Sequence, residues 1–131
     1  MSADKEEKGE YKFSERAFEG KKEIVMEPLI KGVISDLIDG VNISSISAKF
    51  HNTIARIALD VCLNIRESKG LNSVALSGGV FQNNFLLNRT FDLLEKNGFK
   101  VYTHSRVPTN DGCIALGQAL KADELIKKGK I

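Results

Sequence analysis

Cysteine is scarce in these 131 residues: only Cys62 and Cys113 occur, and their spacing matches no zinc or redox pattern. A disulfide framework is thereby excluded, and with no secretory signal in view a reducing cytoplasm is the expected setting. Histidine is equally rare, with His51 in a helical stretch and His104 at the end of a strand. One histidine near a site does not make a metal centre. No apolar run approaches the length of a membrane span, so no membrane partner is expected. An excess of one charge is missing too. Lys and Arg number 19 against 17 Asp and Glu, a formal net charge of +2. The lysines are mixed among acids, which leaves no electrostatic case for a nucleic-acid partner. The small basic cluster of Lys127, Lys128 and Lys130 suits the negative end of a helix dipole.

What is present is an ordinary globular composition, 42% hydrophobic and 27% charged, in a chain about one domain long. The first ten residues, MSADKEEKGE, are charged and lack an apolar stretch. They are expected to be a disordered lead-in (1–10) to a folded body (11–131). YKFSERAF (11–18) alternates as a strand does, Gly20 and two lysines read as a turn, and EIVM (23–26) reads as a second strand, giving a hairpin. Pro28 opens a helix whose apolar residues run from Leu29 to Ile38 and which stops at Gly40. Serines in VNISSISAKF are placed to cap a longer helix, from about Ile46 to Ser68, ended by Gly70.

The hydrophobic period then changes. Leu71 to Leu76 reads as a short buried strand, and Phe81 to Leu94 as a helix closed by Asn97-Gly98. FKVYTH (99–104) reads as a strand, and Gly112 to about Lys128 as a helix with a broad apolar face. The fold class is therefore α/β, with a hairpin and two helices first and a parallel β-α-β-α second half. With about four strands the sheet is narrow, and its exposed apolar surface invites self-association.

Ligands of open α/β sheets sit beyond the carboxyl ends of parallel strands. Two loops fall there: Ser77-Gly78-Gly79-Val80, and the segment from His104 to Gly112. The glycines either turn the chain or let an anion approach the backbone and the following helix N-terminus. Asn83 either reaches back to that ligand or caps a helix, and Asp111 either holds a hard cation or serves, as Asn110 could, as an N-cap. The P-loop and the GxGxxG fingerprint are both absent. Neither cysteine has a readable His and acid partner, and Ser77 does not stand in GxSxG, so a thiol nucleophile and a hydrolase elbow are unsupported.

LSGGVFQNNFLLNR and THSRVPTNDGCIALGQA, with FHNTIA upstream, together resemble the hydrogenase-maturation carbamoyltransferases, the HypF family, over residues 11 to 128. The resemblance implies half of a Kae1-like domain of the actin/sugar-kinase/Hsp70 superfamily, ribonuclease H-like in fold. It further implies that Gly78, Gly79, Asn83 and Asn110 contact ATP or carbamoyl-adenylate. Asp111 would bind a divalent metal, whether iron, zinc or magnesium. The implied reaction passes a carbamoyl group from carbamoyl-adenylate to the C-terminal cysteine of a HypE-like protein, on the way to the cyanide ligand of [NiFe] hydrogenase.

This sequence departs from the family at two points. Cys113 stands where the family usually has a second glycine, which leaves Asp111 in place. The family's HHHAH-type run of metal histidines is not found, nor are its zinc-finger, acylphosphatase and carbamoyl-adenylate-forming domains. The chain thus resembles a C-terminal lobe, inactive alone, whose missing N-terminal lobe is a partner. The alternatives are a non-catalytic nucleotide-binding or regulatory module, and a threonylcarbamoyl transferase lobe acting on tRNA. The FQN wording and the lack of a basic surface disfavour the latter.

Overall fold

A computed structural model describes residues 3–18 and 21–130. Two strands, β1 (Ser14–Phe18) and β2 (Lys21–Val25), pair antiparallel with Ser14 opposite Val25 and Phe18 opposite Lys21. The hairpin is real but shifted from the sequence reading: Lys21 and Lys22 lie in β2, not in the turn, and Gly20 is outside the described residues. Tyr11 is not in β1 because other partners claim it. Its N–H donates to Thr53 Oγ1 at 2.8 Å, and a Cβ on Gly32 would lie 2.7 Å from its ring.

Helix α1 (Glu27–Ile38) carries Pro28 in its first turn and buries Leu29. Helix α2 (Ile43–Lys69) is the long element of the molecule. The cap at its start is Asn42, whose Oδ1 accepts from Ser44 N at 2.9 Å, and not one of the serines. It ends at Gly70, whose left-handed φ of 69° lets its N–H bond Arg66 O at 2.8 Å. Ile46, Ala48, Asn52, Thr53, Ala55 and Leu59 form its buried face.

The segment expected to be a disordered lead-in has no helix or strand, yet residues 3–10 are tied to the helices. Asp4 N–H donates to Ser44 O at 3.1 Å, and Asn52 Nδ2 donates to Glu7 O and Gly9 O at 3.0 and 3.1 Å. Arg89 reaches Lys5 O at 2.8 Å.

Strand β3 (Ser73–Leu76) and strand β4 (Lys100–Thr103) pair in parallel, Ser73 opposite Lys100 and Leu76 opposite Thr103. Between them run a 3-10 turn (Gly79–Gln82) and helix α3 (Asn84–Lys96). Each sheet has two strands, so the narrowness expected from the sequence is met, in two separate pieces. Helices α2 and α3 cover one face of the parallel pair and leave the other open: of β3, expected to be a buried strand, only Leu76 is buried, and no residue of β4 is. Leu59, Leu76, Leu94 and Phe99 close a core against Cys62, Val74, Phe81 and Val101. Each such leucine contributes about 1.5–3 kcal/mol by leaving water.

Asp111–Cys113 form a second 3-10 turn that leads into α4 (Ile114–Lys127). The broad apolar face expected of this helix exists but is uncovered: α4 has no buried residue, and Leu120 is 62% exposed. The outer face of α1 is similar, with Ile30, Ile34, Leu37 and Ile38 between 49% and 80% exposed. No helix among the described residues is long and apolar enough to cross a membrane.

Candidate functional site

The parallel register carries the chain out of β3 and β4 side by side, and the two loops do meet. Gly78 N–H donates to Thr109 O at 2.8 Å. A Cβ on Gly79 would stand 3.9 Å from Asn110 Cβ. Gly78 has φ 112° and ψ 156°, a region open essentially to glycine alone, so its place in the motif is dictated by backbone conformation. Its N–H is spent on Thr109 and does not face an anion. At Gly79 no positive φ is needed.

Asn110 accepts from Gly112 N through Oδ1 at 3.0 Å, and so caps the 3-10 turn that Asp111 begins. A Cβ on Gly112 would fall 3.0 Å from that same oxygen, a tight contact that would press on the cap. Asp111 itself is exposed. Among the described residues no three of His, Cys, Asp and Glu converge, so these residues build no complete metal site. What Asp111 offers is a single hard oxygen ligand.

Asn83 stands at the far end of the 3-10 turn, where it caps α3. Its Oδ1 accepts from Phe85 N at 3.0 Å and Leu86 N at 3.2 Å. The helix therefore starts at Asn84, later than Phe81 as read from the hydrophobic period. Because Oδ1 is occupied by two donors, Nδ2 must donate, and it lies 2.8 Å from His51 Nε2. That leaves Nε2 as the acceptor and places the ring proton on Nδ1, 2.6 Å from Ser47 O. His51 also stands edge-on to Phe85 at 5.5 Å. The FHNTIA phrase held this partner, but nothing in sequence joins residues 51 and 83.

A second pair also escaped the sequence reading as a pair. His104 Nε2 lies 2.9 Å from Ser77 Oγ at the carboxyl edge of the parallel strands. A cleft of about 610 Å³ opens elsewhere among the described residues, between α2, α3 and the N-terminal segment. Ser47, His51, Asn83, Asn84, Asn88 and Arg89 line it, whereas Gly78, Gly79, Asn110 and Asp111 do not. The sequence-derived residues thus divide: Gly78, Gly79, Asn110 and Asp111 gather at the sheet edge, while the Asn83 side chain turns away into the helix cap and the cleft. Of the thiols, Cys62 is pushed up from its usual range by burial, which disfavours the thiolate a nucleophile needs.

Comparisons with known proteins give the chain a family. The family described as Carbamoyltransferase, Kae1-like Domain, second subdomain matches residues 1–118. The Carbamoyltransferase HypF of Synechocystis sp. is 38% identical over 93 residues, which are 71% of this chain and 11% of that protein. A solved full-length HypF in its phosphate- and nucleotide-bound form is 40% identical with a TM-score of 0.84, over 92% of this chain and 16% of that one. HypF of T. kodakarensis, at 23% identity and a TM-score of 0.69 over 96% of this chain and 16% of that one, shares the fold. The chain accordingly spans 11% of the Synechocystis protein and 16% of each solved structure. By these matches the chain belongs to the HypF carbamoyltransferase family, as the second subdomain of the Kae1-like domain.

Proposed function

We propose that the chain forms one wall of a carbamoyl-transfer site in which ATP or carbamoyl-adenylate lies along the Gly78-Gly79 turn and the Asn110-Asp111 loop. The observation that carries this reading is the junction of the two loops, Gly78 N to Thr109 O at 2.8 Å. It holds a glycine turn and a carboxylate together at the carboxyl edge of a parallel strand pair, where α/β folds receive ligands. The solved relative bound to phosphate and nucleotide supports the same class of ligand.

In the transfer, a thiol sulfur of a HypE-like C-terminal cysteine forms a bond to the carbamoyl carbon. The bond from that carbon to the adenylate oxygen breaks, AMP departs, and the thiol proton is released. The role of this chain is positional. Gly78 permits the close turn, Asn110 fixes the loop through Gly112, and Asp111 supplies one oxygen ligand to a divalent metal whose other ligands come from elsewhere in the enzyme. Asn83 supports the turn from behind as the cap of α3. The uncovered apolar rows of α1 and α4 support placing the chain inside a larger enzyme, whose N-terminal lobe would cover them.

Calorimetric titration of ATP, with and without a divalent cation, into the chain and its Asp111→Ala variant tests the reading. The expected result is binding that the cation strengthens in the unsubstituted chain, with that gain lost in the variant. Equal cation-dependent gains in both would remove Asp111 from the metal, and absence of ATP binding would remove the nucleotide from this edge.

A further inference from the structure

The Ser77–His104 pair lies within this edge but has no part in the roles assigned so far. We propose that His104 is a positioning residue that holds the Ser77 hydroxyl where it donates to the anionic group of a ligand seated at the glycine turn. The inference rests on the reading of the edge as a nucleotide site.

Three features of the fold lead to it. Leu76 and Thr103 are partners in the parallel register, so the next residues, Ser77 and His104, leave the sheet together. Their side chains meet at 2.9 Å, the one side chain–side chain hydrogen bond between the two loops among the described residues. The first backbone donor of the turn, Gly78 N–H, is committed to Thr109 O at 2.8 Å. With that donor taken, the Ser77 hydroxyl is the polar group next to the start of the turn.

A serine hydroxyl has one proton and can accept a second. With the ring proton on Nε2, His104 donates to Ser77 Oγ, and the hydroxyl proton is left free to point at the ligand. One donor then faces the anion and a second donates to the first from behind, the arrangement that strengthens a hydrogen bond to charge. Ser77 is exposed at the sheet edge, open to a ligand, and His104 is half-buried beside it.

The experiment is calorimetric titration of ATP, without metal, into the 131-residue chain and into its Ser77→Ala, His104→Ala, His104→Gln and Ser77→Ala/His104→Ala variants. Omitting the metal removes metal ligation by Asp111 from the comparison, and Asp111 is the same in every variant. The expected result is that each alanine variant weakens ATP binding about tenfold and the double variant about as much as either single one. His104→Gln, which keeps a donor near the Nε2 position, stays within about threefold of the unsubstituted chain. Unchanged ATP affinity in both single variants, even with a lowered unfolding temperature, would reduce the pair to a latch between loops and overturn the inference alone. His104→Gln as weak as His104→Ala would also overturn it. Absence of ATP binding to the unsubstituted chain would overturn this inference together with the reading beneath it.

Discussion

Gly78 and Gly79 are neighbours of identical chemistry, yet the backbone uses them differently. At Gly78 the φ of 112° and ψ of 156° are nearly closed to any residue with a Cβ. At Gly79 the nearest atom to an added Cβ would be 3.9 Å away, an ordinary contact. Gly78→Ala is therefore expected to cost about 1–3 kcal/mol of unfolding free energy, and Gly79→Ala no more than about 0.5 kcal/mol. Urea unfolding of the two variants measures this, and equal losses would contradict the assignment. The motif was legible as two glycines, but which of them turns the chain was not, because φ is set by the pairing of two loops thirty residues apart. Asn83 makes the same point. Its amide was open to either a ligand or a cap in the sequence, and the structure commits both of its polar atoms to the cap and to His51.

Secondary elements meet at the N-terminal end of the molecule through a polar junction. Tyr11 OH donates to Asp36 Oδ2 at 2.7 Å, linking the N-terminal segment to α1, and Lys49 of α2 reaches the same oxygen at 2.9 Å. The hydrogen bond from Tyr11, followed by that from Lys49, holds the Asp36 carboxyl below the usual carboxylate range. Burial, then the hydrogen bond to Asp36, pushes the Tyr11 phenol above its ordinary range. The two signs are opposite. Asp36 adds stability that is present above a carboxylate's ordinary value of about 3.9 and is lost as pH falls through it toward the lower folded value. Tyr11 adds stability that is present below about 10 and is lost as pH rises past it toward the higher folded value. Urea midpoints followed from about pH 2 to 11 are expected to fall at both ends of a plateau, and Tyr11→Phe to shrink both limbs. A variant profile parallel to that of the unsubstituted chain would contradict the junction. At this scale the helices were readable from their hydrophobic period and from Gly70 and Pro28. Their starts were less so, because caps such as Asn42 and Asn83 are chosen by local geometry among several polar candidates.

The whole molecule is unevenly covered. Leu59 and Leu94 at its centre are 1% and 0% exposed, while Ile38 on α1 and Leu120 on α4 are 80% and 62% exposed. Since the outer residues touch water in this chain, Ile38→Ser and Leu120→Ser are expected to change unfolding free energy by less than about 0.5 kcal/mol. The same substitutions should lower concentration-dependent association in sedimentation velocity, if an apolar face is what drives it. Losses of stability near 2 kcal/mol would mean the faces are covered, and unchanged association would mean they are not where copies meet. The chain's apolar periodicity, its β-α-β order and the SGGVFQN and NDG phrases determined the fold class, the family and the sheet edge where ligands are expected. These are properties of neighbouring residues, and they can be read along a line. Only the tertiary structure decided that residues 3–10 dock on α2 and α3, that Asn83 faces His51, and that Ser77 meets His104. Each of these is a hydrogen bond between groups far apart in sequence, made when burial of the leucine core fixes the helices and strands that carry them.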